Sequence, residues 1–574
     1  MSSQPKSSSG GWKAAIFIIC LEVAERFSYY GVSGNLINYF TNVLGQPTAV
    51  AAKNVNIWIG VSAIFPFLGA LVADSYMGRC KTIFISSIVY LIGLVALTIT
   101  VSAVPSHVRE AFFFLSLYIM SVGEGGHKPC VQTFAADQFD EEVAEEKAAK
   151  SSFFNWWYLG IVCGATTALL VVIYVQDYVG WDIGYGMLAG AVALALGVFF
   201  IGSKTGTYRQ QAPSGSPFTR VAQVFVAAAR KRHLLVRVDD DDHFGGGIFC
   251  YDDGTRSGIK GMDKLVGARV RALARTPQYR FLDKAMIIDS IDASSKMRNP
   301  WRLCSINQVE EVKLLVRLIP IWASCSIFAM VIAQLGTYFT KQGSTMIHSF
   351  GPKFHIAPAS FQVFTGLAIL ISITLYERVA TPILRNITGQ ASGITMLQRI
   401  GIGLFLSSVT MVVSGLVETR RIETARENGL MDMPKATVPV KIWWLLPQYM
   451  LCGVCDVFTI VGMQELFYDQ IPKEMRSMGA AAYISVVGFG NFMSSVVITA
   501  VQRISAKCGD EWLVDNLNRA HLHYFYWILA GLSAANFCVY LFVSRSFIYK
   551  KFECYDHLGN EKEMDKQVHP EEEA

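Results

Sequence analysis

Charge is scarce in this sequence. Of its 574 residues only 17% are Asp, Glu, Lys or Arg, while 52% are hydrophobic and the mean hydropathy is +0.35. Soluble domains carry about a quarter charged residues, so composition excludes an ordinary soluble globule and points to a chain that lives in a bilayer. The net charge of +5 is small for this length and excludes a charge-driven nucleic-acid binder. Cysteine supplies no framework either. The twelve cysteines are scattered, several of them (Cys20, Cys163, Cys325, Cys452) inside apolar runs, with neither zinc spacing nor a secreted disulfide pattern. There is no nucleophile–base arrangement, and Gly123-Glu124-Gly125-Gly126 lacks the preceding strand that a dinucleotide fingerprint needs. The sequence therefore does not read as an enzyme and offers no metal or cofactor site. The first ten residues are Ser-rich without an apolar core, a disordered tail rather than a signal peptide.

What the chain has in abundance is apolar runs of helical length. They fall at roughly 12–42, 55–74, 82–104, 112–134, 152–176 and 183–203, then at 312–340, 357–381, 395–417, 441–468, 480–502 and 523–547. This divides the chain into a tail (1–11), a six-helix bundle (12–203), a central loop (204–311), a second six-helix bundle (312–548) and an acidic tail (549–574). An all-α polytopic membrane protein of twelve spans in two such bundles is similar to the major facilitator fold, whose site lies near the midplane between the halves. Lys and Arg set the orientation. Arg79, Lys81, Arg378, Arg385, Lys473, Arg476, Arg545, Lys550 and Lys551 fall on one side with both termini, which makes that side cytosolic. The loop 418–440, with Arg420, Arg421, Arg426 and Lys435, dissents.

Within the central loop, 206–217 reads as a Gly/Ser/Pro linker and 219–232 as a basic amphipathic helix on the membrane surface. Asp239 to Asp242 with His243 read as a solvated turn rather than a metal site, because no calcium-loop spacing appears. Residues 281–303 read as an ordered segment that docks between the halves.

The few charges inside the apolar runs carry the functional signal, since intramembrane charge marks ion and substrate pathways. On a helix, Glu22, Glu25, Arg26, Tyr29, Tyr30 and Ser33 share one face. In the fourth run Glu124 stands four residues before Lys128, the favoured order for an ion pair. Asp456, in the tenth, is the other intramembrane acid, and a Lys128–Asp456 bridge across the two halves would form when the cavity closes on one side. His127 reads as a packed, hydrogen-bonded histidine rather than a proton carrier. Asn155, near Trp157 and Tyr158, and Gln334 are cavity candidates, though an interfacial aromatic belt and a satisfied interhelical glutamine explain those segments equally well. In the loop after the second run, Gly78 permits a sharp turn and Asp74 can accept from Arg79. Thr82 reads as an ordinary threonine near a helix start.

Together, Glu22-x-x-Glu25-Arg26-Phe27-x-Tyr29-Tyr30-Gly31, the Asp74–Arg79 loop, Gly126-x-Lys128-Pro129 and Phe153-Phe154-Asn155 resemble the proton-dependent oligopeptide transporter family. Phe281-Leu282-Asp283-Lys284-Ala285 and Asn299-Pro300-Trp301-Arg302-Leu303-Cys304 resemble its plant nitrate/peptide branch. The resemblance implies that Glu22 and Glu25 are protonation sites with Arg26 as counter-ion and substrate ligand. It also implies that Lys128 matches the family's fourth-span lysine, with Asp456 standing where its partner is usually Glu. That shorter acid weakens the peptide reading. Ile332 stands where nitrate carriers of the branch place a His, which removes one nitrate ligand. The expected function is a proton-coupled symporter of a small anionic or zwitterionic solute, nitrate first and di- or tripeptide second, driven by the proton gradient with no cofactor. The alternatives are a solute sensor signalling through Thr82 or the central loop, and a carrier of a plant hormone or specialised metabolite. Expected partners are the solute, protons and the lipid bilayer of the plasma or vacuolar membrane, with the monomer as the functional unit.

Overall fold

The structure, a computed structural model, describes residues 10–139, 144–210, 215–233, 271–273, 276–289, 291–292, 299–350, 354–389, 393–471, 476–549, 552–555 and 561–562. Residues 1–9, the segment 239–243 and the tail beyond 562 lie outside the described residues. Backbone amides in a bilayer have no water to bond, so a crossing segment must satisfy them internally, and helices do. The first half contains α1 (Gly11–Ser33), α2 (Thr48–Val72), α3 (Arg79–Ala103), α4 (Ser106–Ala136), α5 (Ala144–Thr167) and α6 (Trp181–Lys204). After α7 (Pro217–Arg230) come α8 (Ile306–Ile332), α9 (Val363–Leu375), α10 (Met396–Glu427), α11 (Leu446–Asp456), α12 (Gly462–Gln470), α13 (Arg476–Lys507) and α14 (Leu522–Arg545).

Among the described residues ten helical stretches are long and apolar enough to cross a membrane. The first and fourth expected spans, α1 and α4, are not among the ten. Both have the length, with 23 and 31 residues, but each carries charged groups in its middle. These are the two helices that hold the Glu22–Arg26 and Glu124–Lys128 motifs.

The chain divides into two compact units, the first made of Met1–Gly215, Ile321–Tyr468 and Ser477–Arg545. In it α4 packs between α2 and α3, and α1 packs on α5 and α6; on the other side α10 packs on α14 and α11, and α9 on α11. Glycine makes the α2–α4 approach possible. A Cβ on Gly69 would stand 2.1 Å from the Gly125 carbonyl oxygen, well inside contact distance. Local signals set the helix ends. Thr395 and Gln398 form a capping box at the start of α10. Gly78, at φ 78° and ψ 154°, terminates the turn after α2 in a conformation open to glycine.

The two helix sets, α1 to α6 and α8 to α14, meet through bonds clustered at one end. Asn56 donates to Ser494 at 3.0 Å, Lys53 to Gln502 at 3.1 Å, Lys341 to Thr41 at 2.9 Å and Gln362 to the Gly34 carbonyl at 2.9 Å. At that end too the Thr48 amide donates to Asp515 at 2.7 Å. The dissenting cations of loop 418–440 find a partial explanation here. α10 runs on to Glu427, and Arg421 is wholly buried against Glu418 at 2.7 Å, so it is a packed ion pair rather than a loop charge.

The second unit comprises Ser216–Pro320, Asp469–Arg476 and Ser546–Ala574. Here the expectation of a helix lying on the membrane surface is corrected. The apolar face of α7 (Val224, Ala227, Ala228) is covered by Leu282, Ala285, Met286, Cys304, Val309 and Val312, so its amphipathicity is spent on a protein partner. Buried charges tie this unit together: Lys313 reaches Asp283 at 2.5 Å and Glu310 at 2.8 Å, and Lys231 reaches Asp292 at 2.5 Å. Burial pushes the Asp289 carboxyl up, but the Asp292 amide and the Arg302 guanidinium outweigh it and hold it below the usual carboxylate range.

The Gly69 contact is directly testable. Gly69→Ala forces a methyl into backbone atoms and is expected to cost about 1–3 kcal/mol, read as a lower melting temperature in detergent. A variant melting with the parent would contradict the close α2–α4 approach.

Candidate functional site

α1 places its motif residues one and two turns apart, and the fold buries them. The carboxylates of Glu22 and Glu25 are each 3% exposed, with Arg26 between them: its Nε donates to Glu22 Oε1 at 2.8 Å and lies 3.2 Å from Glu25 Oε2. A single guanidinium therefore serves two carboxylates at membrane depth. The other oxygen of Glu22 faces a residue that the sequence reading set aside. His127 Nε2 lies 3.5 Å from Glu22 Oε2, and its Nδ1 is 3.1 Å from Ser87 Oγ on α3. The ligand-type atoms of Glu22, Glu25 and His127 fall within 4.8 Å of one another, a spacing a metal ion can use. Arg26 Nε already lies within 3.2 Å of both carboxylates and takes the place between them that a metal ion would need.

One turn across on α4, Lys128 Nζ contacts the Glu124 carboxylate and stands over the Tyr29 ring, 4.1 Å from its centroid. Tyr29 in turn stacks on Trp58 at 6.0 Å. The Lys128–Asp456 bridge is absent from this structure. Glu124, on the same helix face and 1% exposed, holds the lysine instead, since an i,i+4 partner needs no movement of the halves. Asp456 ends α11 partly exposed.

A cavity of about 350 Å³ opens over this cluster, lined from both sets of helices. Its polar groups are Glu22, Arg26, Lys128, Gln132, Gln464 and Tyr483; its walls include Tyr29, Tyr30, Trp157, Tyr158, Ile59 and Ile460. Glu25, Glu124 and His127 stand behind this surface rather than on it, and Asp456 is not among the lining residues. Gln334 does not line this cavity: it is wholly buried, its amide group donates to the Met330 carbonyl at 2.9 Å and to Ser494 at 3.2 Å, and its Oε1 has no hydrogen-bond partner. Asn155 lies on α5, but its side chain is outside the described ones. At the turn after α2, Arg79 lies 3.6 Å from Asp74 and also bonds Asp137, a partner the sequence did not single out. Thr82 is buried, its hydroxyl donating to the Gly78 carbonyl at 2.9 Å.

Comparison with known proteins places the molecule. The POT family pattern matches residues 80–514. Protein NRT1/PTR FAMILY 5.4 of Arabidopsis thaliana is 55% identical over 551 residues, covering 96% of this chain and 97% of that protein. The chain belongs to the POT family. Protein NRT1/PTR FAMILY 5.10 of Arabidopsis thaliana is 44% identical over 562 residues, covering 96% of this chain and 95% of the relative. The fold resembles a crystal structure of an auto-inhibited POT family peptide transporter, with a TM-score of 0.69 at 20% identity over 93% of this chain and 97% of that one. This POT-family chain is thus a multi-pass membrane transporter and not an enzyme.

The Glu124–Lys128 contact yields a stability test. Lys128→Gln strands a buried carboxylate and is expected to cost about 3–5 kcal/mol, whereas replacing both partners removes most of the penalty. Melting of K128Q beside E124Q/K128Q checks this. Equal stability of the single variant and the parent would show that Glu124 does not depend on Lys128.

Proposed function

We propose that this transporter is a proton-coupled symporter working by alternating access, with Glu22, Glu25 and Arg26 coupling proton movement to a solute bound opposite Arg26 and Lys128. The observation that carries the reading is the placement of a buried carboxylate–guanidinium cluster in the floor of a cavity shared by both helix sets. A proton that reaches Glu22 or Glu25 weakens the hold on Arg26 and leaves positive charge facing the cavity. An anion then completes the charge balance, the halves rock, and loss of the proton on the far side lets the cluster re-form. Each charge moved through the whole membrane field gains about 2.3 kcal/mol per 100 mV, enough to drive accumulation. With the Lys/Arg side as the cytosol, the bonds at Asn56, Lys53 and Lys341 close the outer end, and the cavity belongs to the inward-facing state. Asp74, Gly78 and Arg79 form a hinge on the inner side, and Lys128 exchanges Glu124 for Asp456 or solute during the cycle.

The solute is a small anion or zwitterion, with nitrate the first to test and a di- or tripeptide the second. One observation favours the second: about 350 Å³ with aromatic walls exceeds what nitrate fills and falls in the range of small-molecule pockets, about 300–1,000 Å³. The membrane is the plasma membrane or the vacuolar membrane.

In proteoliposomes with an inward acid gradient, accumulation of nitrate or dialanine is expected to fall at least tenfold in Glu25→Gln. Accumulation at the parental level in that variant sinks the assignment. Voltage clamp in oocytes separates the sensor alternative, which predicts saturable binding without current.

A further inference from the structure

The buried cluster does not balance its own charge. Three carboxylates (Glu22, Glu25, Glu124) face two permanent cations (Arg26, Lys128), leaving one negative charge without a partner in a low-dielectric site. An uncompensated buried charge is costly, and one bound proton removes it. His127 has the position to hold that proton. Its ring is 2% exposed, Nδ1 meets the Ser87 hydroxyl at 3.1 Å, and Nε2 faces Glu22 Oε2 at 3.5 Å with no hydrogen-bond partner. The titratable and charged groups around it are Glu22, Glu25 and Arg26 from α1, Tyr90 from α3, and Glu124 and Lys128 from its own helix. An imidazolium satisfies both ring nitrogens at once, Nδ1–H donating to Ser87 and Nε2–H directed at Glu22.

We propose that His127 is a proton-holding residue of this transporter, taking the proton that reaches Glu22 from the cavity and sharing it across the Nε2–Oε2 contact. The inference rests on the symport reading and extends it. Glu22 lines the cavity and His127 stands behind it, so Glu22 is the port and His127 the store. The two oxygens of Glu22 make the exchange productive. Oε1 holds Arg26 and Oε2 faces His127, so a proton on the imidazole draws the carboxylate's charge away from the guanidinium. Arg26 then presents more of its charge to a solute anion. When the proton leaves through Glu22, the carboxylate turns back to Arg26. The step is a proton transfer alone: the N–H bond at Nε2 breaks as the O–H bond at Oε2 forms, and one proton offsets one solute charge.

The test reads the ring itself and needs no solute. In protein labelled with ¹⁵N-histidine and held in nanodiscs, the His127 signal is identified by its loss in H127N. Between pH 8 and pH 5 the ring is expected to gain the imidazolium signature in the parent and to gain less of it in Glu22→Gln. A ring that keeps one protonation state across that range, or one indifferent to E22Q, overturns the proposal. A second measurement follows nitrate and dialanine uptake into proteoliposomes at external pH 5.5 and 7.5. The ratio of the two rates is expected to shrink at least fivefold in H127N. A uniform loss that leaves the ratio at the parental value marks a structural histidine and also overturns it. If the parent moves neither solute on an acid gradient, the symport reading fails, while the ring titration still decides the role of His127.

Discussion

A carboxylate inside a membrane protein must have a positive partner or a proton, and the placement of those partners governs this transporter. Arg26 is shared by two acids, Lys128 is committed to a third, and the remaining charge needs a proton. The surrounding helices can be read as the means of burying this cluster: glycines bring α2 and α4 together, and α1 packs on α5 and α6.

What the sequence made legible was local. The α1 motif, the Glu124–Lys128 pair four residues apart, and the glycine at the turn after α2 all depend on the geometry of one helix or one turn. The spans were legible for the same reason, since a bilayer demands long apolar helices. The two helices short of apolarity, α1 and α4, were also where the charge pattern pointed.

Contacts between helices were not legible in the same way. Lys128 was expected to pair with Glu124 and, when the cavity closes, with Asp456, and Gln334 was left open between cavity and helix packing. His127 was expected to be packed and hydrogen-bonded, as it is, but its partners were not named. Each outcome turned on the rotation of one helix against another, which periodicity within a helix does not fix. Gln334 bonds Ser494, Arg79 finds Asp137 as well as Asp74, and His127 faces Glu22. The amphipathic α7 shows the same limit. Its apolar stripe was visible, but whether lipid or protein covers it was not encoded in the stripe.

The bonds that join the two helix sets have a character of their own. Asn56 to Ser494, Lys53 to Gln502, Lys341 to Thr41 and Gln362 to the Gly34 carbonyl each involve at most one charged group. The ion pairs at Arg26, Lys128, Arg399 and Arg421, by contrast, each stay within one set. Salt screens attraction between opposite charges far more than it weakens a hydrogen bond to a neutral partner. Lys341 is also attracted by Asp177 of the first set, so this end combines a salt-sensitive attraction with hydrogen bonds to neutral partners that salt touches little.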